Sequence, residues 1–213
     1  MSFHSALATG TLLFNNRGVP TRKAPSTSVY ELKITLREIL PPIWRRVRVP
    51  AKVRLSCLHD VFQIVMGWTD SHLHQFEKDG AHYGVPDEED VVEMIDAGRV
   101  SLATLLEAEG DSLVYTYDFG DGWRHDVVLE KILGWSDKAT RPECVGGDRH
   151  CPPEDVGGPR GYEQFLEVIF DPTHQDHVNM VRWAGGRFHA EDFDLKDVNL
   201  SLARMRWPVR CYK

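Results

Sequence analysis

The amino-acid sequence predicts a single compact α+β domain in which antiparallel strands and hairpins pack against several helices. Three observations carry this prediction: apolar and polar residues alternate in an early segment, a helical apolar pattern follows it, and Gly-Asp-Gly at 120–122 suits a tight hairpin turn. The length of 213 residues agrees with one domain plus a tail. We therefore expect a flexible leader at 1–27, the domain at 28–208 and a tail at 209–213.

The first part of the chain is predicted to supply two strands and a helix. Residues 29–37 alternate between apolar and polar side chains, which is the pattern of a half-buried strand. A proline pair at 41–42 separates them from a second strand at 43–49, and strands joined this closely usually pair antiparallel. Large apolar residues then recur at helical spacing, with Ser56 expected as the N-cap and Gly67 as the residue that ends the helix.

The middle of the chain is predicted to form two hairpins. Segments 72–78 and 81–85 flank a glycine turn, and segments 112–118 and 123–133 flank the Gly-Asp-Gly turn. Between the hairpins, the acidic stretch at 87–96 is typical of a solvated loop and helix surface.

The remaining elements are predicted to be helices and one long loop. A short helix is expected at 102–108, and proline and glycine pairs at 134–160 indicate an unusually long loop. Three helices are expected to close the domain, at 161–170, 174–183 and 195–205.

Composition and motifs exclude several classes of protein. No run of about eighteen apolar residues occurs, so we expect no transmembrane helix, and we expect a cytoplasmic protein without membrane contact. The net charge of −7 argues against a dedicated nucleic-acid binder, because phosphate attraction needs a positive field. The sequence also lacks the phosphate-binding loop, the HExxH zinc motif and the GxSxG nucleophile motif.

Three arrangements of histidine and cysteine can place two or more ligand atoms near one metal ion. They are His72 with His74, His174 with His177, and Cys144 with His150 and Cys151. Each histidine pair shares one side of a strand or a helix. None of the three has a diagnostic metal-binding spacing, so packing or exposure without a ligand role is the favoured interpretation, and no cofactor is implied.

A basic segment at 37–54 carries six arginine and lysine residues against one glutamate. Arg46 and Arg48 share a strand face with Trp44, next to Arg45, and such a ribbon can follow a nucleic-acid backbone. Pairing of these arginines with acidic residues of the same chain is the favoured interpretation.

Five segments resemble a known family in composition and order. They are LPPIWRRVRVP at 40–50, MGWTDSHLHQF at 66–76, YTYDFGDGWRHDVVLEKIL at 115–133, CPPEDVGGPRGYEQFL at 151–166 and WAGGRFHAEDFDLKDVN at 183–199. From about Val29 to Trp207 the chain is similar to the plasmid pRiA4b open-reading-frame-three-like family. The resemblance implies a compact α+β domain without a nameable activity, and some relatives carry labels that link them to mobile elements. Some relatives also have a cysteine where this chain has Val156, so a metal cage that uses that thiol cannot form here.

The shared segments contain more polar and amphipathic residues than a core needs, and we expect them to form one surface. These residues are Trp68, His72, His74, Asp118, Asp121, Trp123, His125, Glu154 and Asp155. If the loop at 151–158 folds over the hairpin, Glu154 or Asp155 is expected to face His125, with a structural anchor favoured over a binding site.

The sequence thus favours a non-enzymatic binding or interaction module with a protein partner, in an accessory role in mobile-element biology. Two alternatives stay open. One is a metal-assisted, hydrolase-type enzyme that uses the histidines and carboxylates named above. The other is a nucleic-acid-associated protein that uses the basic ribbon of Arg45, Arg46 and Arg48.

Overall fold

A computed structural model of the protein describes residues 28–87, 93–134 and 141–207. The predicted leader at 1–27 and tail at 209–213 lie outside these residues. The strands are β1 (Ser28–Leu36), β2 (Trp44–Pro50), β3 (His74–Lys78), β4 (Ala81–Gly84), β5 (Met94–Asp96), β6 (Ser112–Tyr117), β7 (Trp123–Gly134) and β8 (Glu143–Asp148). The helices are α1 (Leu55–Met66), a 3-10 turn (Leu102–Thr104), α2 (Gly158–Phe170), α3 (His177–Trp183) and α4 (Leu195–Arg204).

The eight described strands form one sheet in the order β5-β4-β3-β6-β7-β1-β2-β8. Neighbouring strands are antiparallel except β4 and β5, which are parallel. The predicted α+β class, both hairpins and the antiparallel pairing of the first two strands are confirmed. In the part of the chain that the structure describes, no helix is both long and apolar enough to cross a bilayer.

The two faces of the sheet differ because strand residues alternate in direction. Across four strands the register aligns Phe76, Tyr115, His125 and Leu36, all of which are buried. Helix α1 covers this side, where the ring of its Phe62 lies 5.1 Å from that of Tyr115. We call this side the helix-covered face.

The opposite side, which we call the charged face, carries ion-paired side chains of β1, β2 and β7. Its residues are Glu31, Arg46, Arg48, Asp126, Glu130 and Lys131, together with Arg37 just beyond β1.

Helix α1 ends as predicted but begins differently. Gly67 follows the helix with a left-handed φ of 92°, which glycine adopts at little cost. The N-cap position is Arg54, so the prediction of Ser56 as N-cap is wrong. The backbone N–H groups of Leu55 and Ser56 donate to the carbonyls of Val100 and Ala97, so the helix start needs no side-chain cap.

The predicted long loop at 134–160 is wrong in part, because it contains β8 at the sheet edge and its last residues begin α2. Glycine in β8 marks close packing rather than a turn. A Cβ atom at Gly147 would lie 2.6 Å from the Phe193 ring and 2.9 Å from Cδ of Arg45. The sequence cannot distinguish this use of glycine from a loop signal.

Smaller differences concern short elements. The acidic stretch at 87–96 ends in β5, and the helix expected at 102–108 is a single 3-10 turn. Helix α3 begins at His177, three residues later than expected. Each of these elements is at most seven residues long, so tertiary contacts outweigh the local pattern.

Candidate metal centre

The sequence-predicted residues converge at one end of the helix-covered face. The register of β3, β6 and β7 aligns His74, Tyr117 and Trp123 in the row next to Phe76, Tyr115 and His125. An open pocket of about 600 Å³ lies at this end, and we call it the histidine pocket. Its polar lining residues are Ser56, His59, Asp60, Asp70, His72, His74, Asp87 and Asp96.

A first group of possible ligands joins α1, the turn after it and β3. His59, Asp70 and His74 each offer one ligand atom, and these atoms all lie within 4.8 Å of one another. Nε2 of His59 lies 2.7 Å from Oδ1 of Asp70. The imidazole rings of His59 and His74 stack with centroids 3.4 Å apart and an interplanar angle of 6°. We call this set the His59 group.

Hydrogen bonds beneath the His59 group fix the orientation of its first imidazole. The backbone N–H of Asp70 donates to Oε1 of Gln63 over 2.9 Å, and Nε2 of Gln63 donates to Oη of Tyr115 over 3.0 Å. Oη of Tyr115 lies 2.7 Å from Nδ1 of His59, and it donates its own proton to that nitrogen in the tautomer that carries no proton on Nδ1. The remaining imidazole proton then lies on Nε2 and faces Asp70, which closes a ring of four hydrogen bonds.

His74 differs from its stacked neighbour because its Nε2 atom is buried and no described residue bonds to it. Burial, and then the proximity of His59, lowers the pKa of His74 to about 4. His74 is therefore a neutral imidazole near pH 7, which is the protonation state that binds metal ions.

A second group of possible ligands lies beside the first. His72, Asp118 and Asp155 also offer one ligand atom each within 4.8 Å of one another, and we call them the His72 group. Nε2 of His72 lies 3.3 Å from Oδ1 of Asp155, and Nδ1 lies 3.7 Å from Oδ2 of Asp118. The other oxygen of Asp118 accepts hydrogen bonds from the backbone of Gly120 and Asp121.

The loop that precedes α2 folds over this end of the sheet. Nε1 of Trp68 donates to the carbonyl of Pro152 over 3.0 Å, and Oη of Tyr117 donates to Glu154 over 2.5 Å. Thr69 also donates to Glu154 through its hydroxyl and its backbone N–H. These contacts connect the loop to the turn after α1 and to β6.

The structure brings most of the nine predicted surface residues together, but it separates His125 from the loop carboxylates. Glu154 contacts Tyr117 and Asp155 contacts His72, whereas His125 is fully buried beneath Trp68 with ring centroids 5.4 Å apart. Asp121 accepts a hydrogen bond from the backbone of Gly157 over 3.1 Å. Trp123 is buried in the row beneath the loop.

The predicted basic ribbon is engaged within the chain. Arg46 pairs with Glu130 over 2.5 Å, and Arg48 pairs with Glu31 over 2.8 Å. Arg45 points to the opposite side of β2, where it is buried and donates to the carbonyls of Val65 and Asp148.

The cysteine candidates do not join either ligand group. Burial raises the pKa of Cys144 and raises that of Cys151 to about 12, which disfavours the thiolate forms that bind metal ions. Nδ1 of His150 lies 2.6 Å from the carbonyl oxygen of Cys151. Among the described residues, His174 and His177 belong to neither group of three close ligand atoms.

Sequence reasoning missed His59, Asp70 and the tyrosines beneath them. A signal for His59 exists, because it lies four residues after Leu55 and three before Phe62 on the buried stripe of α1. A histidine at such a position needs a partner, but the pattern does not say whether the partner is a protein group or an ion.

The fold and the site together define an α+β protein whose mixed sheet carries a histidine- and aspartate-lined pocket on its helix-covered face. The chain belongs to the plasmid pRiA4b ORF-3-like protein family, whose family model matches residues 28–197.

Two similar proteins share most of the chain. The uncharacterized protein y4hQ of Sinorhizobium fredii is 43% identical over 175 residues, which are 82% of this chain and 88% of that protein. The crystal structure of the protein of unknown function MM3350 from Methanosarcina mazei Go1 is 37% identical, with a TM-score of 0.73. That similarity covers 80% of this chain and 97% of MM3350.

Proposed function

We propose that the protein binds a divalent transition-metal ion through His59, Asp70 and His74, and that the ion supports hydrolase-type chemistry in the histidine pocket. One observation carries this proposal. The buried Nε2 atom of His74 has no hydrogen-bond partner among the described residues. The ring of His74 stacks on the ring of His59, whose Nε2 atom is bonded to Asp70. An unsatisfied buried donor or acceptor costs about 1–3 kcal/mol, and a metal ion removes that cost.

The donor atoms of the His59 group are those of a transition-metal site, but the parallel stack of His59 and His74 has to open before both imidazoles can hold one ion in their ring planes. Two imidazole nitrogens and one carboxylate oxygen are the donor set of many zinc and non-haem iron sites. An ion on Nε2 of His59 replaces the proton that this atom shares with Asp70. The imidazole proton then lies on Nδ1 and is donated to Tyr115, which serves as the outer support of the ligand.

The pocket beside the group provides space for a substrate. A site with three protein ligands keeps a coordination position for water, and a bound ion lowers the pKa of that water to about 7. His59, Asp70 and His74 line the pocket of about 600 Å³, so that position is accessible from solvent. Hydrolysis needs only this water and the substrate.

Metal titration of the purified full chain tests the proposal. The apo protein is titrated separately with Zn²⁺ and Mn²⁺, and bound metal is counted by mass spectrometry. We expect His74→Ala to bind one metal equivalent fewer than the wild type. The matched control is His82→Ala, which removes a histidine of the adjacent strand that belongs to neither group. Equal metal content in both variants contradicts the metal site.

The hydrolase component has its own assay. We expect the metal-loaded wild type and the His82→Ala control to hydrolyse p-nitrophenyl acetate or p-nitrophenyl phosphate faster than the metal-free protein. His74→Ala is expected to lose that difference. If the protein binds the metal but the metal accelerates hydrolysis of no ester or phosphoester in a wider panel, the protein is a metal-binding protein and not an enzyme.

A second candidate function is a non-enzymatic interaction module with a protein partner. Exposed apolar side chains on α2 and α3, namely Phe170, Val178 and Trp183, support it. A groove of about 480 Å³ lies between these helices, and Trp183 lines it. The plasmid in the family's description supports an accessory role in mobile-element biology under this candidate. Concentration-dependent self-association that Trp183→Ser abolishes would identify a second copy as the partner.

Nucleic-acid binding through the ribbon has less support. Arg46 and Arg48 already pair with carboxylates, and Arg45 is buried. We expect weak binding to DNA and RNA at physiological salt, with affinity that Arg46→Gln does not change. Fluorescence anisotropy with labelled oligonucleotides measures it.

A further inference from the structure

We infer a second cation site, formed by His72, Asp118 and Asp155, that fastens the loop at 149–157 to the sheet. None of its ligands belongs to the His59 group. The inference therefore goes beyond the proposed function and does not depend on it.

The separations within the His72 group suit ligands of one ion. Two ligand atoms bound at about 2.1 Å lie roughly 3.0–3.4 Å apart in tetrahedral or octahedral coordination. Nε2 of His72 and Oδ1 of Asp155 are 3.3 Å apart. Oδ2 of Asp118 lies 3.7 Å from Nδ1, the other ring nitrogen of His72, and one ligand atom from each of the three residues lies within 4.8 Å of the others.

One nitrogen atom of this group has no hydrogen bond to any described residue, although the Asp155 carboxylate lies 3.3 Å from it. Nε2 of His72 is buried, and no described residue forms a hydrogen bond with it. The Asp118 side chain is only 11% exposed, and the hydrogen bonds that stabilise its turn use Oδ1. Oδ2 is therefore the oxygen available to an ion.

The loop positions Asp155 from both sides. The preceding residue, Glu154, is held by Tyr117 and Thr69, and the backbone N–H of Gly157 donates to Asp121. Between these attachments Asp155 adopts a left-handed φ of 58°, and its side chain is 72% exposed. An ion can thus enter from solvent and join an exposed loop carboxylate to a buried carboxylate of the β6–β7 hairpin.

The donor set distinguishes this site from the His59 group. Two carboxylates and one imidazole form a harder, more negative set than two imidazoles and one carboxylate, and oxygen ligands suit Mn²⁺ better than they suit softer ions. We therefore expect Mn²⁺ to occupy the His72 group in preference to the His59 group. The competing explanation is that His72 contacts both carboxylates without any metal ion.

Metal counting with one conservative variant tests the site. Asp155→Asn keeps the side-chain shape, and asparagine tolerates a left-handed φ, so the fold is expected to persist. The matched control is Asp79→Asn, because Asp79 is an exposed turn aspartate with a left-handed φ of 51° outside both groups. The full-length proteins are freed of metal and titrated with Mn²⁺ alone, and amide hydrogen exchange of residues 154–157 is followed with and without the ion.

We expect Asp155→Asn to weaken Mn²⁺ binding at this site at least tenfold and to abolish metal-induced protection of 154–157, whereas Asp79→Asn matches the wild type. His74→Ala is expected to keep this protection. Unchanged Mn²⁺ affinity in Asp155→Asn, or protection that is lost in His74→Ala but kept in Asp155→Asn, overturns the second site. Loss of binding in Asp155→Asn together with unchanged metal content in His74→Ala supports the second site and contradicts only the His59 group.

Discussion

The charged face and the histidine pocket differ in whether their buried ionisable side chains have partners within the chain. On the charged face the Glu31 side chain is 2% exposed, yet Lys131 and Arg48 lie 2.7 and 2.8 Å from its two oxygens. Burial alone would raise the pKa of Glu31, but hydrogen bonds from Lys131 and Arg48 outweigh it and lower the pKa. In the pocket, Nε2 of His72 and of His74 are buried with no hydrogen-bond partner among the described residues.

This difference separates residues that stabilise the fold from residues that can serve a ligand. A face whose charges are matched within the chain gains little from an external ion. A pocket with unmatched nitrogen atoms keeps an energetic cost that a ligand can remove. Unmatched buried nitrogen atoms also occur at His82, Trp123 and His125, so such an atom indicates a ligand site only where other ligand groups lie close to it.

Acid pH is expected to affect the helix-covered face, which contains His125, and the charged face over different pH ranges, and this is the largest effect. Burial lowers the pKa of His125 to about 4 from 6.5, so the unfolded chain takes up the proton first as pH falls. The free energy of unfolding should decrease between pH 6.5 and 4, by roughly 3 kcal/mol from His125 alone. Chemical denaturation over this range measures the change.

A variant and a second pH range sharpen the same comparison. His125→Gln cannot take up a proton, so its stability should depend less on pH between 6.5 and 4. On the charged face Arg46 lowers the pKa of Glu130, and the pKa of Glu31 is also lowered. Their contribution is complete above the unfolded value of 4.5 and is lost as pH falls below it. An identical pH profile in wild type and His125→Gln would contradict the assignment.

Removal of the Tyr115 hydroxyl is expected to have the next largest effect. Tyr115→Phe leaves Nδ1 of His59 and Nε2 of Gln63 without their partner in a buried position. The cost should be about 1–3 kcal/mol in the free energy of unfolding. Tyr83→Phe on β4 is the control, because no hydrogen bond of its hydroxyl lies among the described residues. A loss of less than half a kcal/mol would show that water replaces the hydroxyl.

The smallest effect is expected on the charged face. A double-mutant cycle of Arg46→Gln and Glu130→Gln should give a coupling of about 0.5–1 kcal/mol, because both side chains are about one-quarter to one-third exposed. The coupling should decrease at high salt, whereas the effect of Tyr115→Phe should not. A coupling above 2 kcal/mol would mean that this face is as electrostatically sensitive as the pocket.

Local patterns predicted much of the fold but only part of the site. Period-two alternation identified β1, and helical spacing identified α1 together with its end at Gly67. The two-residue spacing of His72 and His74 suggested a shared side, but their partners come from distant elements. His59 lies on α1 and Asp118 follows β6, so only the strand register and the helix docking bring them together.

The predictions failed where one residue type can serve two structural purposes. Glycine marked a loop at 134–160, but in β8 it lets Phe193 and Arg45 approach the strand. Asp118 is expected from the sequence on a shared surface, and the structure shows that one of its oxygens forms the hairpin turn while the other faces His72. A sequence pattern assigns a residue one role, whereas the folded chain uses separate atoms of the same side chain.

The alignment of His74 with Tyr117 and Trp123 offers a way to check whether a protein sample has the correct strand register. A shift of β3 by one residue against β6 would turn His74 to the opposite side of the sheet and bring Gln75 into its place. Such a chain would keep its secondary structure and its strand content but would hold no complete His59 group. Under the proposed metal site, retained metal would therefore report on correct strand alignment and would separate native protein from misaligned protein that circular dichroism cannot distinguish.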